Sequence, residues 1–259
     1  MRVTLGQLAS GTDTSANLAR MDTVAAAASV AGSRLVVFPE YATYEKSRVD
    51  SSFVAVAQPL DGSVVQALAG IARRHGVTVV AGMVETSDER NRAYNTIVAL
   101  DDGGELVAAY RKIHLFDSRG FHESGHIKPA PDVAPVTFTQ DGTVFGLLTC
   151  YDLRFPGVAQ SLRDAGAQVV LAPSSWVPGA GKGDQWDLLT RARALDNGVI
   201  VVAVSQAEPV SIGRSVVAGP LGEVIGRCGA GEDLLTVDLP LDAVRDARSQ
   251  FPLQAQRRV

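Results

Sequence analysis

Short apolar segments and helical patterns alternate along this chain in two rounds, and this alternation most constrains the fold. The first round has apolar segments at residues 35–38 and 77–81, which are typical of strands covered on both faces. The second round has similar segments at residues 144–148, 168–172 and 199–204. Helical patterns lie between these segments, so helices are expected to pack outside extended β structure. The two rounds predict two similar halves, each a sheet with helices on one face, and together a four-layer α-β-β-α sandwich of the α/β class.

The composition is that of an ordinary globular protein. Apolar residues make up 46% of the chain and charged residues 20%, with a formal net charge of −4. This balance gives no electrostatic argument for binding nucleic acid or an anionic membrane. No apolar run approaches the ~20 residues that span a bilayer, and no signal-peptide core precedes the first strand, which predicts a cytoplasmic protein. No linker interrupts the sequence, so residues 1–259 are expected to form one domain.

Cys150 follows a buried apolar strand at the point where polar residues begin. Ligands of α/β sheets bind beyond the carboxyl ends of the strands, so this position suits a nucleophile. A free cysteine is more often an inert buried residue, so the position alone is weak support. The only other cysteine, Cys228, lies in a glycine-rich turn and is expected to be a bystander. Two such cysteines predict reduced thiols rather than a disulfide framework.

Glu40 and Lys112 also come directly after β segments. Alone, each is typical of a solvated surface charge. A thiol near its usual pKa of ~8.5 is only a few per cent ionised at neutral pH, so Cys150 needs a proton acceptor or a cation nearby. Glu40 is a candidate for taking that proton, and Lys112 for stabilising the oxyanion that forms when sulfur attacks a carbonyl. With the backbone N–H of Tyr151 as a second oxyanion donor, these residues predict acyl transfer through a thioester.

The order of glutamate, lysine and cysteine, set in the motifs FPE, YRKIHLF and CYDLRFP, resembles the nitrilase, or carbon-nitrogen hydrolase, superfamily. The resemblance covers most of the chain. It extends to Gln7, Tyr94-Asn95-Thr96, Ala172-Pro173-Ser174, the helix at residues 186–197 and the turn Gly219-Pro220-Leu221-Gly222.

This resemblance implies an α-β-β-α carbon-nitrogen hydrolase domain that hydrolyses non-peptide C–N bonds without a cofactor, as a homodimer or higher homo-oligomer. It makes Glu40 the general base, Lys112 the oxyanion stabiliser and Cys150 the nucleophile. The family often has a second glutamate in the loop after the lysine, and Glu123 occupies that place. Glu123 would then orient Lys112 and the attacking water.

The motif CYDLRFP is similar to the branch that includes omega-amidase and deaminated-glutathione amidase, whereas nitrile-cleaving relatives usually have Trp-Glu after the cysteine. This similarity implies a small carboxamide and water as substrates and ammonia as a product; hydrolysis of N-carbamoyl compounds or nitriles is the alternative. Two departures leave the substrate open. Gly213-Arg214-Ser215 stands where close relatives have Gly-His-Ser, and the loop at residues 117–125, which borders the pocket, is short and lacks Pro-Gly.

Four further residues lie next to the proposed site in the sequence and are expected to shape its pocket: Tyr44, Tyr151, Arg154 and Trp176. Arg154 is a candidate for meeting a substrate carboxylate, although an arginine at the start of a helix is as plausibly structural.

Two other hypotheses compete with the cysteine hydrolase. His122 and His126, with Glu123, have the letters of a His-Glu-x-x-His zinc motif, and His114 lies nearby. That motif needs a helix to bring both imidazoles to one face, but here it lies in a long loop, so no metal is predicted. Outside the enzymes, a catalytically silent binding or scaffold protein of the same fold is the alternative. The presence of all three reactive residues argues against it.

Overall fold

The computed structural model describes residues 1–258 and contains two six-stranded sheets. The first sheet has the order β12-β1-β2-β3-β4-β5, where β1 is Arg2–Gln7, β2 Leu35–Val37, β3 Thr78–Thr86, β4 Ala93–Leu100, β5 Leu106–Arg111 and β12 Asp233–Asp238. The second sheet has the order β11-β10-β9-β8-β7-β6, where β6 is Thr137–Gln140, β7 Thr143–Leu147, β8 Val169–Ser174, β9 Ile200–Ser205, β10 Val216–Ala218 and β11 Val224–Arg227.

The helices surround these sheets. Their bounds are α1 Thr14–Val30, α2 Ser51–Val56, α3 Ser63–His75, α4 Pro156–Asp164, α5 Lys182–Asn197, α6 Leu241–Gln250 and α7 Leu253–Gln256, with short 3₁₀ turns at Glu123–Gly125 and Cys150–Arg154. No helix within residues 1–258 combines the length and apolar character needed to cross a membrane.

The side chains of β2 show how the layers are arranged. Val36 belongs to an apolar cluster with Met21 of α1 and Leu68 of α3, whereas Leu35 and Val37 belong to a second cluster with residues of β7 and β8. Because successive side chains of a strand point to opposite faces, one face of this sheet packs on helices and the other on the second sheet. The second cluster continues through Trp186 of α5. The layer order is therefore helix, sheet, sheet, helix, as the sequence predicted.

Parallel pairing at the centre of each sheet aligns the strand ends that carry the candidate residues. In the first sheet β2 pairs in parallel with both β1 and β3. In the second sheet β8 pairs in parallel with both β7 and β9. The carboxyl ends of these parallel strands therefore lie at one edge of each sheet.

Two local expectations differ from the structure. Residues 41–60 have no regular apolar spacing, which predicts irregular structure, but α2 forms within them. The Asp50 carboxylate accepts a hydrogen bond from the Ser52 N–H at 2.9 Å and caps this helix. The apolar spacing of α5 predicts a buried face that includes Leu195, but Leu195 is 50% exposed. The buried face of α5 instead includes Arg193, whose Nε donates to the Leu153 carbonyl at 3.0 Å. The spacing of apolar residues alone could not predict that this arginine is buried.

Candidate active site

The three reactive residues predicted at strand ends lie around one cavity of about 300 Å³. Glu40 follows β2, Lys112 follows β5 directly, and Cys150 begins the 3₁₀ turn after β7. Glu123, from the loop after β5, lines the same cavity. The sequence therefore correctly anticipated that two strand ends of the first sheet and one of the second meet.

The Lys112 ammonium is the centre of the arrangement. Its Nζ donates to Glu40 Oε1 at 2.9 Å and to the two Glu123 carboxylate oxygens at 3.0 and 2.9 Å. Lys112, Glu40 and Glu123 are each at most 5% exposed. Burial lowers the pKa of Lys112, but the carboxylates of Glu123 and Glu40 outweigh burial and raise that pKa well above its usual value. Lys112 is therefore a fixed cation throughout the neutral range.

Cys150 has an unusual backbone conformation. Its φ of 47° lies in the left-handed region, which non-glycine residues rarely adopt. The Sγ atom lies 3.7 Å from the Ser175 carbonyl oxygen. Burial and the neighbouring Glu40 carboxylate raise the pKa of the thiol well above its usual value, although Lys112 opposes this rise. Cys150 is therefore a thiol at rest, and an acceptor must take its proton during any attack.

Asp152 ties the cysteine turn to the lysine segment. Its side chain is fully buried and accepts hydrogen bonds from the Tyr110 hydroxyl at 2.6 Å and the His114 backbone N–H at 3.1 Å. These two partners stand two residues before and two residues after Lys112. One carboxylate thus links the turn that carries Cys150 to the segment that carries Lys112.

Several polar groups that sequence reasoning did not assign to the site hold its carboxylates. The Asn95 amide donates to Glu40 Oε1 at 2.6 Å and to Glu123 Oε1 at 3.2 Å. The backbone N–H of Ser175 donates to Glu40 Oε2 at 2.6 Å, and the Tyr41 hydroxyl donates to Glu123 Oε1 at 2.9 Å. Asn95 was detectable in principle because its amide stands in a strand whose other residues are mostly apolar.

The four expected pocket residues do not line this cavity. Tyr44 packs edge-on against Phe53 and bonds to Ser52, while the Trp176 indole N–H donates to the Lys182 carbonyl. Tyr151 and Arg154 line an adjacent cavity of about 200 Å³, which shares Phe116 with the first cavity. The side chains that fill the space next to Cys150 are instead those of the loop residues Phe116, Phe121 and Val49.

The adjacent cavity is lined by three cations and no acidic residue. These cations are Arg119, Arg154 and Lys182. Arg154 donates to the Gln185 amide at 2.7 Å, and the Lys182 ammonium lies 4.4 Å from the centre of the Trp176 ring. Among residues 1–258, no carboxylate forms a salt bridge with any of the three. Burial lowers the pKa of Lys182 to about 8. This cavity therefore favours an anionic group.

The histidines of the long loop do not form a metal centre. His114 pairs with Asp152 and stacks on Phe155 at 3.6 Å, away from His122 and His126 at the edge of the main cavity. Within the part of the chain that the structure describes, no three His, Cys, Asp or Glu side chains are grouped to hold a metal ion.

Comparisons with known proteins identify the family to which the chain belongs. The family model described as carbon-nitrogen hydrolase matches residues 2–249. The chain is 40% identical to hydrolase Rv0480c of Mycobacterium tuberculosis, over 97% of this chain and 93% of that one. It is 32% identical to deaminated glutathione amidase of Escherichia coli O157:H7, over 86% and 84% of the two chains. It is also 32% identical to omega-amidase NIT2 of Danio rerio, over 93% and 89%.

Solved structures of an amidase and of a nitrilase-superfamily protein share the fold. The amidase from Nesterenkonia sp. AN1, captured with acrylamide added at its active site cysteine, has a TM-score of 0.83 and 29% sequence identity, with coverage of 98% of this chain and 99% of that one. Nit3 of Saccharomyces cerevisiae, a member of the nitrilase superfamily, has a TM-score of 0.88 and 30% identity, with coverage of 100% and 97%.

Proposed function

Because this chain belongs to the carbon-nitrogen hydrolase family, we propose that it hydrolyses a small carboxamide through a thioester on Cys150 and releases ammonia. As a member of this family it is a hydrolase of C–N bonds other than peptide bonds, with amidases among its relatives. The cysteine mechanism and the substrate are our proposals. The observation that carries them is the convergence of four buried side chains, Glu40, Lys112, Glu123 and Cys150, on one cavity.

The first half of the reaction forms the thioester. Glu40 takes the Cys150 proton as sulfur attacks the carbonyl carbon, so a C–S bond forms and the carbonyl oxygen becomes an oxyanion. Lys112 and the backbone N–H of Tyr151 stabilise that oxyanion. Glu40 then delivers the proton to the leaving nitrogen, the C–N bond breaks, and ammonia departs.

The second half consumes water. Glu40 takes a proton from water as the water oxygen attacks the thioester carbon. The C–S bond then breaks, Glu40 returns the proton to the sulfur, and a carboxylic acid and the Cys150 thiol are released. Glu123 keeps Lys112 charged and correctly oriented in both halves. The raised pKa of the Cys150 thiol supports this order of events, because a resting thiolate would have no need of Glu40.

The adjacent cationic cavity supports a substrate with an anionic group. Arg119, Arg154 and Lys182 present positive charge without an acidic partner in that cavity, which shares Phe116 with the cavity that Cys150 lines. A carboxylate placed there would satisfy charges that are otherwise uncompensated. We therefore propose a carboxamide that carries a carboxylate at its other end.

The test measures ammonia release from matched amides that differ only in whether the distal group is a carboxylate or a methyl ester. Our proposal expects turnover of the acid, with a higher KM for the ester. Cys150→Ala should abolish turnover, whereas Cys228→Ala, which removes the only other thiol, should retain it. Activity that persists in Cys150→Ala would disprove the thioester.

The alternatives within the enzyme class have their own products. An N-carbamoyl substrate releases carbon dioxide together with ammonia, whereas a carboxamide releases ammonia alone. A nitrile substrate would be detected by including the corresponding nitrile in the same panel. The homodimer and the cytoplasmic location implied above stay predictions, and sedimentation equilibrium measures the first directly.

A silent scaffold of the same fold predicts a different thiol chemistry. With no functional base, Cys150 and Cys228 would both be alkylated slowly, since burial and Asp233 raise the pKa of Cys228 to about 12. Selective alkylation of Cys150 supports the enzyme.

A further inference from the structure

Glu45 is a fourth carboxyl group in the main cavity, and the reaction above does not use it. It is 3% exposed and lines the cavity together with Glu40 and Cys150. Its Oε1 accepts a hydrogen bond from the Lys46 N–H at 2.7 Å, while its Oε2 is buried without any hydrogen-bond partner. A buried carboxylate oxygen without a hydrogen-bond partner destabilises the fold, and the cost is smaller when the carboxyl group is uncharged.

Ser175 connects Glu45 to the reacting groups. The backbone N–H of Ser175 donates to Glu40 Oε2 at 2.6 Å, and its carbonyl oxygen lies 3.7 Å from Cys150 Sγ. The Ser175 hydroxyl lies 2.9 Å from the Ser211 hydroxyl and is near enough to the Glu45 carboxyl to lower its pKa. One residue therefore contacts the base and the nucleophile through its backbone, and places its hydroxyl near Glu45.

The charges around Glu45 favour its uncharged form. Lys112 already pairs with two carboxylates, Glu40 and Glu123, so it has no capacity for a third. Lys46 pairs with Asp50 instead. The remaining titratable or charged side chains that line the cavity are Tyr41, Arg48, His122, His126 and Cys150.

Burial agrees with this charge count. It raises the pKa of Glu45 to about 8, and the charges of Glu40 and Glu123 add to the rise. The nearby Ser175 hydroxyl and the hydrogen bond from the Lys46 N–H act in the opposite direction.

We propose that Glu45 is a positioning residue of this site, and that its uncharged carboxyl holds Ser175, and thereby Glu40 and the Cys150 thiol, in their working arrangement. When Glu45 loses its proton, a third carboxylate faces Glu40 across Ser175 and disfavours the Cys150 thiolate. The site thus loses reactivity in the alkaline range. The catalytic part of this inference rests on the proposed function, but the effect on the thiol does not.

The test compares the wild-type protein with Glu45→Gln, which mimics the uncharged carboxyl and does not ionise. The rate of alkylation of Cys150 by iodoacetamide is measured between pH 6 and 10. The ratio of the variant's rate to the wild-type rate should be near one at pH 6 and should rise several-fold above pH 8, because only the wild type acquires the extra charge. A ratio that is constant with pH, whether at one or at a lower value, would overturn the proposal.

Two further variants separate positioning from folding. Glu45→Asp retains an ionisable group and should keep the alkaline loss of the wild type. Should Glu45→Gln fail to fold, Glu45→Ala, which also does not ionise, replaces it as the test variant. Ser175→Ala keeps the backbone contacts and removes the hydroxyl, so the effect of Glu45→Gln should shrink in that background. An undiminished effect would disprove the route through Ser175. Glu105→Gln removes an exposed carboxylate in the hairpin between β4 and β5 and serves as the matched control.

The amide assay adds a catalytic readout. Wild-type kcat should fall above pH 8, Glu45→Gln should resist that fall, and KM should be similar in both. If no amide is turned over while the alkylation profiles differ as expected, the proposed function fails and the role of Glu45 stands. If amides are turned over with identical pH profiles, the role of Glu45 fails alone.

Discussion

The Lys112 ammonium lies 2.9 Å from Glu123 Oε2, and both side chains are almost fully buried. Since a buried ammonium is stable only when it is paired, this contact and the one to Glu40 hold a cation where an oxyanion would form. Glu123 contributes one of these two partners and accepts a further hydrogen bond from the Phe116 backbone N–H at 2.6 Å. It therefore connects the lysine to the loop that covers the cavity.

Glu123→Gln should lower kcat more than it raises KM. The amide keeps the shape of Glu123 but removes one of the two charges that raise the pKa of Lys112. Because Glu123 acts through Lys112, we expect a loss of kcat of about 10- to 100-fold, smaller than removal of an oxyanion donor itself. Steady-state kinetics on an active amide measure it. A pure rise in KM would show that Glu123 binds substrate instead.

Gly82→Ala should displace Glu40. A Cβ at this position of β3 would lie 2.7 Å from the Glu40 Cα, and the backbone there has no room to give. We expect a loss of about 1–3 kcal/mol in the free energy of unfolding and a marked loss of activity. Gly70→Ala is the matched control, because a Cβ at that position of α3 meets nothing within 4 Å. Urea unfolding measures the free energy of unfolding of both variants, and equal values for Gly82→Ala and Gly70→Ala would contradict the prediction.

Three of the four site residues, Glu40, Lys112 and Cys150, could be predicted from the sequence because they follow strands and interrupt apolar sequence. Position along a strand is a local property, and parallel pairing converts it into proximity in space. The layer order followed from the same alternation. Asp152, which joins the cysteine turn to the lysine segment, lies inside a recognised motif, but its partners Tyr110 and His114 became apparent only from the structure.

Glu45 and Ser175 were not predicted because burial of a polar residue leaves no local signal. Glu45 stands in the polar run Tyr44-Glu45-Lys46-Ser47-Arg48, which is typical of a solvated loop. It is buried in the folded protein, where it lines the same cavity as Glu40, five residues earlier. The expected pocket residues Tyr44 and Trp176 failed to line the main cavity for the converse reason. Closeness in sequence to Glu40 and to β8 did not determine which way their rings point.

Glu45→Gln should also change the pH dependence of stability. The pKa of Glu45 is about 8 in the folded protein against 4.5 ordinarily, so folding keeps a proton that the unfolded chain releases above pH 4.5. A raised pKa stabilises the fold below pH 4.5, and this contribution is lost as the pH rises towards 8. Relative to the wild type, the variant should gain stability by about 1.4 kcal/mol per pH unit over this window at most.

Urea unfolding of Glu45→Gln at pH 5, 6 and 7 measures that gain. The difference between variant and wild type cancels the other titrating groups, and Glu105→Gln again controls for the loss of a carboxylate. A difference that does not change with pH would mean that Glu45 is charged in the folded protein.

Lys182→Met should weaken binding of the anionic amide and leave the neutral ester unaffected. The Lys182 ammonium lies over the Trp176 ring at 4.4 Å and the Phe116 ring at 5.0 Å, so methionine can occupy the same apolar space without the charge. We expect KM for the acid to rise about 10-fold or more, as loss of a charged hydrogen bond implies.

The same residue should make KM depend on pH. Because the pKa of Lys182 is about 8, wild-type KM for the acid should rise above pH 8, and Lys182→Met should lack this rise. Lys182→Arg, which stays charged, should keep a low KM at pH 9. Equal effects of Lys182→Met on the acid and the ester would show that the residue supports the fold of the cavity and does not recognise an anion.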